Sequence, residues 1–483
     1  MLVGAEGEIR KRNLDCSASN SKKRKTNLQT EIMEELYEPR PMVEIHSHKP
    51  RLARLRKDPS RGEEEETGGA SQDLREQISR NPVILAQIFR HLAPSDLKSA
   101  ALVSRTWWRL VEQARYWSWA ETRLTRADFA QKFRSPRLRN IGSVRTDLSL
   151  AQMRKLLLSL PEWRLRRLAV SYINLSSVSP QLLSSALVKL ERVELCLCRL
   201  SRDQVRAVFT RVAECEDLTL RSLSINFSDL TSVPGSILAR AVVRLKTVNL
   251  WLCRLTTEQV TTLLTTVLHS PHLTLQSLTL NPSDLSSVSA KLLSGAVLRL
   301  EEVNLSYTDL TTQHLSQICT DILSAKQLRL RSLQLNSTNL SSLQPNLLAS
   351  AMVRLERLDL YNSCLTGEQL EAVLQTVVLT SPLSLATINL GGNEVSSVPA
   401  ELLAEASLRL GEVRLADTQL TAGQVTAVFR AFLQSRSEAE PESNLRCLHI
   451  GEKEVAAVSP EVLAQAEGKL QHCHLTNSWC LNG

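Results

Sequence analysis

Residues capable of chemistry are sparse in this chain and scattered along it. Nine His are dispersed over 483 residues, and ten Cys fall without the paired spacing of a ligand set or a disulfide framework. Cys196 and Cys198 form a C-x-C that could be half of a metal site, yet no Cys or His pair at ligand spacing lies nearby. The sequence has no phosphate-cradling glycine loop, nucleophile elbow or His-Glu-x-x-His helix, and no carboxylate pair that a cleft could hold. No cofactor is called for, and catalysis by this chain itself is not expected. What remains is the chemistry of recognition: aromatic and polar side chains at fixed intervals, and two clusters of basic ones.

The elements that must position these side chains repeat. Leu190, Leu245, Leu300, Leu355 and Leu410 each open a Leu-x-x-Val/Leu-x-Leu unit and stand 55 residues apart. Second starts at Leu220, Leu275, Leu330 and Leu385 divide each period into 30 and 25 residues. Leu165 extends the series backward, Leu138 reads as a worn first unit, Leu445 follows an insertion, and Leu470 begins a partial last unit. Within a unit the alternation predicts a short parallel strand with one buried face. The stretch after it, such as Thr256 to Val267, predicts a capped helix. The pattern L-x-x-L-x-L-x-x-N/C-x-L, seen from Leu190 to Leu200, resembles leucine-rich repeats of the ribonuclease-inhibitor type, over about two-thirds of the chain. That resemblance implies an α/β solenoid over 138–483, a horseshoe with parallel concave strands and convex helices. Cys198 and Cys253 stand where the family places the Asn or Cys that turns the chain beneath the strand.

In such a fold the strand residues between buried Leu positions face the concave side. The two positions after the second buried residue hold Ser171-Tyr172, Asn226-Phe227, Trp251-Leu252, Ser306-Tyr307 and Tyr361-Asn362. Five of the nine aromatics from residue 165 onward thus share one strip, and Tyr and Trp give large contact area at small entropic cost. Tyr172, Phe227, Trp251, Tyr307 and Tyr361 are therefore the expected contacts to a protein target. Asn281, Gln334, Asn336 and Asn389 add neutral hydrogen-bonding groups between them. Arg192, Glu302, Arg357, Asp359, Glu412 and Arg414 add mixed charge.

Ahead of the repeats, residues 76–124 read as helical. Val83, Ile84, Ile88 and Leu92 recur at near 3.6-residue spacing. Pro94 and Ser95 open a second helix with Asp96 near its N-terminal end, and Leu97, Ala100, Val103, Trp107 and Leu110 follow along one face. A third short helix would carry Tyr116, Trp117 and Trp119. Four of the seven Trp lie in this segment, which is too short to bury a self-sufficient core and is expected to dock on a partner. The run Leu92-Ala93-Pro94-Ser95-Asp96-Leu97, then Val103-Ser104-Arg105-Thr106-Trp107, resembles an F-box, with Ile88-Phe89 where that family has its Ile-Phe/Leu pair. The family's opening Leu-Pro falls on Arg80-Asn81, with Pro82 one place later.

Charge divides the chain. Residues 76–164 carry 16 Lys and Arg against 7 Asp and Glu, whereas 165–483 carry 27 against 29. Arg123, Arg126, Lys132, Arg134, Arg137 and Arg139 concentrate the excess in a basic junction assigned to 125–137 and its flanks. A solvated junction or an acidic protein partner suits it better than nucleic acid, because the array itself is not basic. Residues 1–75 alternate charge blocks with little apolar periodicity and are expected to be disordered. Within them Lys22, Lys23, Arg24 and Lys25 resemble a nuclear-import signal. No signal peptide or apolar window of membrane-spanning length is present, so residence in nucleus, cytoplasm or both is expected, without membrane attachment.

An F-box followed by leucine-rich repeats is the organisation of substrate receptors in SCF-type cullin-RING ubiquitin ligases. The resemblance implies that Leu92, Pro94, Leu97, Val103 and Trp107 meet or support a Skp-family adaptor, with Ile88 and Phe89 behind them. The adaptor links to cullin and a RING protein, while the concave face captures a protein target. The alternative is a non-catalytic leucine-rich-repeat interaction scaffold, nuclear or otherwise, with no ligase role.

Overall fold

The computed structural model describes residues 81–89, 100, 102–111, 121–134, 142–281, 283–435, 444–451 and 472–473. The tail 1–75 with Lys22, Lys23, Arg24 and Lys25, the third helix expected around Tyr116, and Leu92, Pro94 and Leu97 lie outside them. The chain divides into two units, Met1–Tyr116 and Trp117–Gly483.

The second unit is built on one parallel sheet whose strands follow chain order. Its first strands are β1 (Glu121–Leu124), β2 (Ser143–Thr146), β3 (Arg167–Ser171), β4 (Arg192–Cys196) and β5 (Ser222–Asn226). Then come β6 (Thr247–Asn249), β7 (Ser277–Thr279), β8 (Glu302–Asn304), β9 (Ser332–Gln334) and β10 (Arg357–Asp359). The series ends with β11 (Thr387–Asn389), β12 (Glu412–Leu415), β13 (Cys447–Ile450) and β14 (His472–Cys473). The alternation works as the pattern predicts: in β4, Val193 and Leu195 are buried while Arg192, Glu194 and Cys196 face outward. Strands repeat every ~4.8 Å but helices need ~8–10 Å, so the stack bends with its sheet inside. The result is a leucine-rich-repeat solenoid.

The unequal repeat lengths take physical form in the helices. The 30-residue units carry 13-residue helices, such as Arg202–Glu214 and Thr257–His269, and the 25-residue units carry shorter ones, such as Pro180–Leu187 and Pro345–Met352. The long helices bury one stripe, for example Val205, Val208, Phe209 and Val212. Each such side chain contributes about 1.5–3 kcal/mol on leaving water.

Polar devices recur at the same 55-residue interval. Gln204, Gln259, Gln369 and Gln424 each take the N-cap backbone N–H of their helix on Oε1. Their Nε2 groups donate to two loop carbonyls of the preceding repeat, those of Leu175 and Val178 in the case of Gln204. His314 replaces Gln in one unit. Its Nδ1 accepts from the Thr311 N–H and its Nε2 faces the Val288 carbonyl, so the Nε2–H tautomer satisfies both. At the opposite end, Arg244, Arg299, Arg354 and Arg409 donate to the last carbonyls of the preceding long helix, where a cation also complements the helix dipole. Beneath the strands, Cys253 Sγ donates to the Ile225 carbonyl at 2.7 Å and Cys198 Sγ to that of Val170 at 3.4 Å. Asn393 spans the equivalent place, donating to Leu360 and Leu390 and accepting from the N–H groups of Ser363 and Leu365.

The sheet begins earlier than the Leu pattern suggests. β1 pairs with β2 in register, Glu121 opposite Ser143, so the solenoid starts inside 76–124. The stretch read as a junction holds the helix Phe129–Phe133, whose Phe129 is buried. β2 starts at Ser143, three residues beyond where a unit opening at Leu138 would place it. β2 carries Val144 and Thr146 at its buried positions and β1 only the single Leu124, so neither shows the Leu-x-x-Leu-x-Leu pattern.

Candidate functional site

The first unit presents a helix pair. Asn81 caps the helix Pro82–Phe89, its Oδ1 accepting from the N–H groups of Val83 at 2.9 Å and Ile84 at 3.3 Å. Asn81 at the N-cap and Pro82 at the first helical position thus open the helix without the family's Leu-Pro. Leu85 and Phe89 are buried, whereas Val83, Ile84 and Ile88 are exposed. The inward stripe is therefore the i, i+4 pair Leu85 and Phe89, not the set Val83, Ile84 and Ile88.

The continuous helix expected along Ala100, Val103 and Trp107 is interrupted. Leu102 and Val103 form a turn, and Ser104 accepts the Trp107 N–H at 3.2 Å, opening a separate helix, Arg105–Val111. A Ser at this place offers the backbone a cap in preference to another helical turn. Phe89 and Trp107 meet edge to face with ring centroids 5.2 Å apart. Of the expected adaptor contacts, Phe89 is interior, Trp107 is half-buried against it, and Ile88 and Val103 are 43% and 62% exposed.

On the second unit the aromatic strip resolves into two rows. Tyr172, Phe227 and Tyr307 occupy the position where the backbone turns left-handed after each strand, with φ of 60°, 57° and 59°. Trp251 and Tyr361 stand one residue earlier. Tyr172 is 62% exposed and Tyr307 38%, while Trp251 and Tyr361 are half-buried. Phe227 is a correction: only 5% exposed, it packs edge to face on Trp251 at 4.9 Å and supports that ring instead of meeting a partner. Asn281 is buried too, so it does not belong to the outer polar surface. Tyr361 lies against Gly391, where an added Cβ would come within 2.9 Å of the ring.

The polar groups around these rings hold one another. Asp359 accepts from the Tyr361 N–H and from Asn336 Nδ2, both at 3.2 Å, and burial pushes its carboxyl above the ordinary value. Arg192 pairs with Glu194, Arg357 with Glu302, and Arg414 with Glu412. A hydrogen bond from His449 and another from Arg414 hold Glu412 well below the usual carboxylate range, at about 2. Mixed pairs of this kind leave no broad single-sign field. The basic residues near the first strands are likewise engaged: Arg123 faces Asp147 at 3.7 Å, Lys132 pairs with Asp128, and Arg126 donates to the Asp147 carbonyl.

Cys196 and Cys198, adjacent in the C-x-C, occupy different surroundings, one half-buried on the strand face and one buried beneath it. Burial pushes the thiols of Cys198 and Cys253 up to about 12, which suits hydrogen-bonding and not reaction. A constellation that the scattered-cysteine reading missed lies on the last full repeats, where Glu412, Cys447 and His449 converge. Its signal was the C-x-H at Cys447 and His449, two residues apart on a strand and hence on one face.

The F-box-like family matches residues 82–119. No curated protein matches the sequence. Among solved structures, the chain is similar to that of the Rad7 and Elc1 complex in yeast, at a TM-score of 0.46 and 12% identity over 81% of this chain and 93% of that one. It is also similar to the leucine-rich repeat-containing protein LegL7 from Legionella pneumophila, at 0.39 and 17% over 62% and 99%. The chain combines an F-box-like segment with a leucine-rich-repeat solenoid. Among the described residues no helix is long and apolar enough to cross a membrane.

Proposed function

We propose that this chain is the substrate-recognition subunit of an SCF-type ubiquitin ligase. Its F-box-like segment binds a Skp-family adaptor, which connects to cullin and a RING protein, and the concave face of its repeats captures a protein target. The observation that carries this reading is the F-box-like match over residues 82–119 ahead of a repeat solenoid. The exposure of Val83, Ile84, Ile88, Leu102 and Val103 supports it, because apolar side chains turned outward on so small a unit call for a partner. Leu92, Pro94 and Leu97 complete the proposed adaptor contact, with Phe89 and Trp107 holding the helix pair together from within.

The role is positional. Holding a target beside a charged conjugating enzyme raises the effective concentration of a target lysine near the thioester, while bond formation belongs to other subunits. Tyr172, Trp251, Tyr307 and Tyr361 are the proposed target contacts. Residence in the nucleus, by import through Lys22 to Lys25, or in the cytoplasm is compatible with this role.

The test is a pull-down of the full chain with the Skp-family adaptor, beside the variant Leu92→Ala/Pro94→Ala/Leu97→Ala. Adaptor capture by the parent and its loss in the variant is expected. A folded parent that fails to capture the adaptor would exclude the ligase role and leave a repeat scaffold.

A further inference from the structure

The concave face carries three side chains of mixed donor chemistry near the end of the sheet. In the parallel pairing of β12 with β13, Glu412 stands opposite Cys447 and Arg414 opposite His449. Val413, Leu448 and Ile450 are buried, which leaves Glu412, Cys447 and His449 on the concave side. Cys447 Sγ lies 3.1 Å from His449 Nε2, and that nitrogen lies 3.3 Å from Glu412 Oε1. All three donor atoms fall within 4.8 Å of one another.

We propose that Glu412, Cys447 and His449 form a Zn2+ site on the concave face. Tetrahedral zinc with bonds of about 2.3 Å to thiolate and about 2.0–2.1 Å to nitrogen or oxygen separates its ligand atoms by about 3.4–3.6 Å. The two short separations here need only a few tenths of an ångström of opening to admit the ion. Thiolate and imidazole select a borderline-soft metal over Ca2+ or Mg2+, which take oxygen donors. Three protein ligands on an open face leave one position for water or another group. Arg414, 2.7 Å from the Glu412 carboxylate, opposes the ion by its charge but orients the ligand. The thiolate and carboxylate together carry the negative charge that offsets it.

The three ligands come from two successive repeats, Glu412 from one and Cys447 and His449 from the next, across the insertion that precedes β13. The ion would therefore clamp the terminal repeats. It would also give the recognition face a Lewis-acidic point beyond the aromatic rows, independently of any ligase role.

The full chain, reduced and stripped of metal with a chelator, is titrated with Co2+ as a spectroscopic probe and then with Zn2+. One equivalent of Co2+ should give a thiolate-to-cobalt charge-transfer band with the visible bands of a tetrahedral ion, and Zn2+ should bleach both. Cys447→Ser should remove the charge-transfer band, and His449→Ala should weaken binding by at least about tenfold. Cys447 and His449 are only partly buried, so both variants should keep the parent's far-ultraviolet dichroism. Cys447→Ser should also keep the metal-free melting temperature, while His449→Ala, which loses the hydrogen bond to Glu412, should start from a lower melting temperature. Zn2+ should raise the melting temperature in the parent alone. A parent without the band, a band that survives Cys447→Ser, or an equal Zn2+-induced rise in all three proteins would overturn the site.

Discussion

Asp359, on β10, is a carboxyl that folding prefers to keep protonated. Desolvation raises its pKa, and the hydrogen bonds from the Tyr361 N–H, Asn336 and Asn389, with the nearby Arg414, only partly offset that. The sign of the linkage follows. Because the folded value lies above the unfolded one, the favourable contribution is complete below the ordinary carboxylate range and is lost as pH rises through the folded value. At neutral pH the ionised Asp359 is therefore a cost. Asp359→Asn should stabilise the repeats by up to ~1 kcal/mol, since Asn still accepts from the Tyr361 N–H. Asn336 Oδ1, buried without a hydrogen-bond partner, can turn to accept from the new amide. Thermal melting of parent and variant near neutral pH and near about pH 3 measures this, with the gain confined to neutral pH. A variant that melts below its parent near neutral pH would mean that the charge on Asp359 is needed by Arg414.

At the scale of the element, stability rests on the links between successive repeats. Gln369, itself buried, closes the cap of the helix Gly367–Leu379 and donates to the Leu340 and Leu343 carbonyls at 2.8 Å in two buried hydrogen bonds. Gln369→Leu keeps the bulk but strands the Thr366 N–H and two carbonyls, which should cost about 2–4 kcal/mol. His314→Gln should be neutral or mildly stabilising, because Gln restores the second carbonyl bond that imidazole cannot make; chemical denaturation of the two variants separates these outcomes. The sequence shows such devices unevenly. The strand starts from Leu165 to Leu445 fall at their structural places because Leu-x-x-Leu-x-Leu encodes burial directly. β1 and the Phe129–Phe133 helix were not legible, since Thr122, Leu124 and Val144 carry the alternation with a single Leu and no Leu-x-x-Leu-x-Leu run. The split of the aromatic strip was hidden as well: a linear pattern does not say that Tyr172 and Phe227 take the left-handed position while Trp251 precedes it. Nor could it say that Trp251 would cover Phe227.

At the scale of the whole molecule, the two proposed binding surfaces belong to separate units, and each has its own interior. Phe89, Leu85 and Trp107 hold the first unit, while the stacked Leu and Val layers hold the second. Changes on one surface should therefore leave the other intact. Ile88→Asp/Val103→Asp places charges on exposed positions of the first helix and of the turn before the second, where they cost little in the free chain but cannot be buried against an apolar partner. Adaptor capture should fall by at least about a hundredfold, and the main melting transition of the repeats should not move. Conversely, Tyr172→Ala/Tyr307→Ala removes exposed rings whose backbone already takes the left-handed turn. Adaptor capture should persist while proteins co-purified through the repeats are lost. Quantitative co-purification of both double variants beside the parent reads the two surfaces at once. If the tyrosine variant lost adaptor and partners together with its melting transition unchanged, the concave face and the helix pair would form a single interface, and the division of labour between adaptor and target would have to be abandoned.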